Sequence, residues 1–236
     1  MNTGWSQPDI QEAPMDHADH DHAHDRHAPI EDREELTYYE KRVWALQALL
    51  VEKGIITADE VRQQIETVDT HTPADGAKVV ARAWVDPAFK SRLLQDAKAA
   101  VTELGFDSGE SPVLVAVENT PKVHNVVVCT LCSCYPRALL GLPPDWYKSL
   151  SYRSRAVVDP RGVLQEFGLE LEPDVEVRVY DSSADMRYLV IPERPPGTEY
   201  LSETELASLV TRDSMIGVTK PRPPEQRPDL KAAAPA

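Results

Sequence analysis

The three cysteines of this 236-residue chain all fall within one six-residue stretch, Cys129-Thr130-Leu131-Cys132-Ser133-Cys134, directly after the apolar run Val126-Val127-Val128. No distant cysteine is left to pair with them, so a disulfide framework is excluded. The fold must therefore deliver a C-x-x-C-x-C loop from the end of a strand. Three soft sulfur donors crowded there point to a transition-metal site. On spacing alone, two other readings stand beside it: a redox pair with a spare thiol, and buried cysteines that merely pack.

Local geometry favours the metal. Only Ser133 separates Cys132 from Cys134, so their thiolates converge only through a tight turn. Such a turn points the amide nitrogens of Ser133 and Cys134 at the same centre, and Cys129 closes the site from one side. The result is a claw of sulfurs and amide nitrogens with one open position. Structural zinc, by contrast, wants four closed tetrahedral ligands. An anionic shell of thiolates and amidates favours a small trivalent ion acting as a Lewis acid, and an open position is what a catalyst needs.

The rest of the chain supplies a scaffold. A helical pattern runs from about Glu34 to Lys53, with Val43, Leu46 and Leu50 on one stripe and Gly54 as its stop. Thr57 and Glu60 form a capping box for a second helix. Asp75 is placed to cap a third. Asp86 caps a fourth, with Pro87 in its first turn, apolar positions from Leu93 to Leu104, and Gly105 as its stop. The pattern then changes to strands at Val113–Val117, Val123–Val128, Val175–Tyr180 and Arg187–Ile191. Asp159-Pro160 opens an intervening helix, and Ser202 with Glu205 caps another. The predicted fold is α+β, a helical amino-terminal arm followed by a layered α/β/β/α domain that carries the claw. The predicted boundaries are a His/Asp-rich tail over 1–31, the arm over 32–106, the metal-binding domain over 107–219 and a Pro/Ala-rich tail over 220–236.

Composition narrows the function classes. The net charge of −14 provides no basic stripe to neutralise phosphates, which argues against nucleic-acid binding. No apolar run approaches the length of a membrane span, and no secretory h-region precedes the acidic start, so a cytoplasmic location is expected. In the first tail, His17, His20, His22, His24 and His27 interleave with Asp16, Asp19, Asp21 and Asp25. That tail reads as a solvated segment, with scavenging of a divalent metal for the claw as the sharper alternative. His124 alternates with Val123 and Asn125 and reads as a packed strand residue, not a ligand. Arg153, Arg155 and Arg161 read as surface or interface charges. Tyr135 is a candidate donor into the pocket.

The claw, followed by Tyr135-Pro136 and Leu140-Gly141-Leu142-Pro143-Pro144-Asp145-Trp146-Tyr147-Lys148-Ser149, resembles the nitrile hydratase α subunit family. The resemblance extends through Ala81–Pro87, Val117–Pro121, Tyr152–Arg155, Asp159–Arg161, Arg187–Pro192 and Val210–Gly217. It implies hydration of a nitrile to an amide at one non-corrin Co(III) per α subunit, since threonine at Thr130 goes with cobalt where serine goes with iron. It implies metal ligation by the sulfurs of Cys129, Cys132 and Cys134 and the amides of Ser133 and Cys134. Cys132 would be oxidised to sulfinate and Cys134 to sulfenate, with Cys129 a plain thiolate. Cys134, Cys132 and Ser133 would be the catalytic residues, with either water or the Cys134 sulfenate oxygen attacking the nitrile carbon. The implied partners are a β subunit in an α2β2-type heteromer, a cobalt-insertion activator protein and a small nitrile. Three thiolates and two amidates around a trivalent ion leave a charge of about −2, which calls for cations from the partner.

Two departures bear on substrate. Tyr135-Pro136 is followed by Arg137 where many relatives carry tryptophan, and Glu110 lies near where some carry glutamine. The related thiocyanate hydrolase γ subunit has the same claw, can carry arginine at the first position and has a similar histidine-rich start, so it is the alternative reading. A cobalt-handling accessory protein and a noncatalytic interaction subunit are the alternatives from other classes.

Overall fold

The computed structural model describes residues 37–106 and 113–224. The predicted His/Asp tail, Glu110 and most of the Pro/Ala tail lie outside the described residues. The chain divides into two compact units, one ending at Ile56 and the other beginning at Thr57.

The first unit contains α1 (Tyr38–Glu52), which starts later than the pattern suggested because Thr37 and Glu40 form a reciprocal capping box there. Its side chains are largely exposed, among them Tyr39, Val43, Trp44 and Leu46.

The second unit opens on α2 (Ala58–Thr70), capped by Thr57 and Glu60 as the sequence indicates. α3 (Pro73–Val85) begins at Thr72 instead of Asp75, because Pro73 is suited to the first helical position and Asp75 then falls in the first turn. The single helix expected after Asp86 is two. α4 (Pro87–Gln95) ends at Asp96, whose carboxylate accepts from the Ala99 amide and starts α5 (Ala97–Glu103). Apolar spacing alone conceals this break, since Leu93, Ala97 and Val101 are buried on both sides of it.

Four strands follow the predicted positions to within a residue: β1 (Val113–Glu118), β2 (Val123–Val128), β3 (Glu176–Asp181) and β4 (Met186–Ile191). They form two parallel pairs, β1 with β4 and β2 with β3. In the second pair Val123 lies opposite Glu176 and Val128 opposite Asp181. Parallel pairing demands a crossover. Between β2 and β3 it is made by α6 (Arg137–Leu140), α7 (Asp145–Lys148), α8 (Leu150–Val158) and α9 (Pro160–Glu166). After β4 come α10 (Glu203–Leu209), with its Ser202–Glu205 capping box, and α11 (Arg212–Ile216). The mixed helix-and-sheet class is as predicted.

One core joins these elements. Val79, Val80, Phe89, Leu93 and Val101 from α3–α5 are buried with Val126–Val128, Leu139, Leu140, Tyr147, Leu164, Leu189, Ile191, Met215 and Ile216. β2 is covered along nearly its whole length, which suits a continuous valine run in a parallel strand. Its two polar residues are satisfied. His124 donates from Nε2 to the Gly217 carbonyl (2.7 Å), and Asn119 donates to its Nδ1 (3.2 Å). Asn125 bonds Asn119 and the Glu118 carbonyl. His124 is thus a packed strand residue. Gly217, at φ +94°, brings its backbone so close that an added Cβ would lie 1.9 Å from the Asn125 carbonyl oxygen.

Candidate metal centre

β2 delivers the claw. Beyond its last residue the ladder continues for one bond, Ser182 N–H to the Val128 carbonyl at 2.7 Å. The chain then turns. Cys129 is fully buried, Cys134 half-buried and Cys132 exposed. The three sulfurs lie within 4.8 Å of one another. Cys132 Sγ stands 3.5 Å from Cys129 Sγ and 3.2 Å from Cys134 Sγ. The Cys132 amide donates to Cys129 Sγ at 3.2 Å.

Electrostatics divide the thiols. The hydrogen bond from Cys134 pulls the Cys132 pKa down to about 7, helped by Cys129 and by the backbone N–H groups of Ser133 and Cys134. Burial, together with that same bond, pushes Cys134 up to about 12, against a smaller opposite pull from Arg187. Between this pair, Cys132 is the sulfur that gives up its proton first. The two amides that favour its thiolate are the pair expected to face a metal.

The turn is held from behind by α7 and α8. Arg153 donates from Nε to the Cys129 carbonyl (3.1 Å) and from Nη2 to the Thr130 carbonyl (2.7 Å). Tyr147 donates to the Cys134 carbonyl (2.9 Å), and Tyr152 to the Val127 carbonyl (2.7 Å). These tyrosines belong to an aromatic layer in which Trp146 packs edge-on against Tyr152 and Phe167 at 4.9 and 4.7 Å. From the end of β3, Asp181 accepts from the Thr130 amide (2.9 Å) and hydroxyl (2.6 Å).

Several expectations change at this point. Arg153 is no surface charge, since it fastens two claw carbonyls. Arg155 pairs with Glu166, and Arg161 donates to carbonyls of the segment before β3. Tyr135 does not reach toward the sulfurs: it is buried and its hydroxyl lies 3.4 Å from the Leu140 carbonyl. Arg137 opens α6 and is exposed. Ser133 is half-buried between the two outer cysteines. Sequence reasoning missed Asp181, Tyr147 and Arg187. Tyr147 and Arg187 lie in stretches that carry the resemblance, but their places beside the claw, like that of Asp181, emerge only from the fold.

The donor set fits a thiolate-preferring metal. Among the described residues no histidine or carboxylate joins the cluster, so a closed four-ligand zinc site is not what the side chains build. What the side chains offer is a set of three converging sulfurs.

The sequence model of the family described as nitrile hydratase, alpha chain, matches residues 37–219. The chain belongs to the nitrile hydratase alpha family. It is 55% identical over 186 residues to the low-molecular weight cobalt-containing nitrile hydratase subunit alpha of Rhodococcus rhodochrous, covering 78% of this chain and 90% of that one. With the cobalt-containing nitrile hydratase subunit alpha of Pseudonocardia thermophila it shares 52% identity over 179 residues, 75% of this chain and 88% of the relative. With the thiocyanate hydrolase subunit gamma of Thiobacillus thioparus it shares 42% over 217 residues, 86% and 89% of the two chains. Among solved structures, a recombinant thiocyanate hydrolase comprising partially-modified cobalt centers superposes with a TM-score of 0.76 at 41% identity, over 80% of this chain and 92% of that one. A double mutant of the Fe-type nitrile hydratase from Comamonas testosteroni Ni1 gives 0.74 at 45%, over 79% and 91%.

Proposed function

We propose that this chain is the metal-bearing α subunit of a cobalt nitrile hydratase, hydrating nitriles to amides in complex with a β subunit. The observation that carries the reading is the triad of sulfurs at the end of β2, set in a chain 55% identical to a subunit named for cobalt. Thr130 in the claw supports cobalt over iron. Bound Co(III) would supply the Lewis acid that polarises the C≡N bond. The metal would be held by the sulfurs of Cys129, Cys132 and Cys134 and by the amides of Ser133 and Cys134.

The burial pattern supports the oxidation assignment. Cys129, fully buried, is sheltered and stays a thiolate. Cys132, exposed and with a lowered pKa, would be oxidised to sulfinate and Cys134 to sulfenate, with dioxygen or a peroxide as the oxidant that takes the electrons and supplies the oxygens. The Ser133 hydroxyl stands between them, within reach of substrate. The outer side of the claw is open, with Leu131 83% exposed, so the facing wall and the cations that balance the centre come from the β subunit. We assign an α2β2-type assembly, loading by an activator protein and a cytoplasmic location as parts of the same reading.

Thiocyanate hydrolysis is the second reading. It is favoured by the thiocyanate hydrolase gamma subunit matching 86% of the chain and by Arg137. The α–β complex assayed on a simple nitrile and on thiocyanate tests both. Amide formation with stoichiometric cobalt is expected. Carbonyl sulfide from thiocyanate with negligible amide from nitriles would establish the second reading, and stoichiometric iron or zinc in active protein would overturn the cobalt assignment.

A further inference from the structure

We propose that Asp181 is a positioning residue for the metal centre: its carboxylate fixes Thr130 and so keeps the claw in ligand-ready shape. This rests on reading the claw as a cobalt site. Asp181 closes β3 directly opposite Val128, the last residue of β2, and the Ser182–Val128 bond carries the ladder past it. The carboxylate is therefore anchored on rigid backbone. One of its oxygens accepts the Thr130 amide at 2.9 Å and the other the hydroxyl at 2.6 Å. Arg153 holds the carbonyl of the same residue at 2.7 Å. All three polar groups of Thr130 are thus fixed, and residue 130 cannot rotate without breaking bonds to two different elements.

Thr130 lies immediately after Cys129 and two residues before Cys132. Fixing it sets the 3.5 Å approach of those sulfurs and the Cys132 N–H bond to Cys129 Sγ. Charge does not explain the placement, because a carboxylate near three thiolates is electrostatically unfavourable. Geometry does: an ionised carboxylate is an acceptor with two oxygens and can take both Thr130 protons at once. The threonine hydroxyl is accordingly committed to Asp181 and not to a sulfur.

The test uses the complex with its β subunit as wild type, Asp181→Ala, Asp181→Asn, Thr130→Val, Thr130→Ser and the Asp181→Ala/Thr130→Val double variant. Two properties are read: cobalt retained against a chelator, and the sulfur-to-cobalt charge-transfer absorption. Asp181→Ala should lower cobalt retention about tenfold or more and shift the absorption. Thr130→Val should lose part of that, Thr130→Ser, which keeps the hydroxyl, should lose less than Thr130→Val, and Asp181→Asn should fall between. The double variant should be no worse than Asp181→Ala, because both changes remove one interaction. Wild-type retention and absorption in Asp181→Ala, or losses that multiply in the double variant, would overturn the proposal. In the metal-free complex, hydrogen exchange at the amides of residues 130–132 should be about tenfold faster in Asp181→Ala. Unchanged exchange would overturn the proposal whatever the metal. A wild-type complex without cobalt would overturn the functional reading alone, leaving the exchange result to judge Asp181.

Discussion

Arg153 bridges two consecutive claw carbonyls, and only a planar fork of donors can reach both at once. Arg153→Lys is expected to lose at least one bridge and to reduce cobalt content or activity about 10- to 100-fold; metal analysis of the co-purified complex checks it. Tyr147→Phe leaves the Cys134 carbonyl without its donor and should cost about 1–3 kcal/mol, read by denaturant unfolding. The sequence named the cysteines and the segment containing Tyr147 and Arg153. It could not give their roles, because each bond runs from a crossover helix back to the claw, 13 to 24 residues away. His124 shows the converse. Its strand alternation correctly marked it as packed, and the structure adds a pH consequence. Burial holds its pKa below the usual histidine value, so the folded chain prefers the neutral ring while the unfolded chain takes up a proton near pH 6.5. Stability from this residue is complete above about pH 6.5 and is lost as pH falls toward the folded pKa. Urea midpoints at pH 7.5 and 5.5 should differ less in His124→Gln than in wild type.

The elements show which signals carry fold information. Capping boxes at Thr57 and Ser202 were legible because both partners are local in sequence. The valine run of β2 was legible because burial on both faces leaves no polar alternation. The α4–α5 break was not, since Asp96 caps from inside an apolar pattern that continues through it. Asp96→Ala is expected to cost about 1 kcal/mol by thermal or chemical unfolding. The turn after α11 is less forgiving. Gly217→Ala forces a side chain into a left-handed conformation and against the Asn125 carbonyl. It should destabilise by more than about 1 kcal/mol, read as a lowered midpoint, and should loosen the strand that carries the claw.

At the scale of the whole chain, the candidate centre is built by one unit yet left open on one side. The chain expressed without a β subunit is expected to be poorly loaded with cobalt and inactive; robust nitrile hydration by the isolated chain would contradict this. The parallel pairing of β2 with β3 has a consequence for biosynthesis. Thr130 and Asp181 are 51 residues apart, and the crossover helices lie between them. At about 5–20 residues per second, a ribosome finishes the cysteines several seconds before it makes the residue that holds their turn. The nascent thiols leave the ribosome as an unshaped, oxidisable tripod, and become a binding site only once the second strand docks. On the proposed reading, metal uptake belongs to a finished domain, not to a growing one.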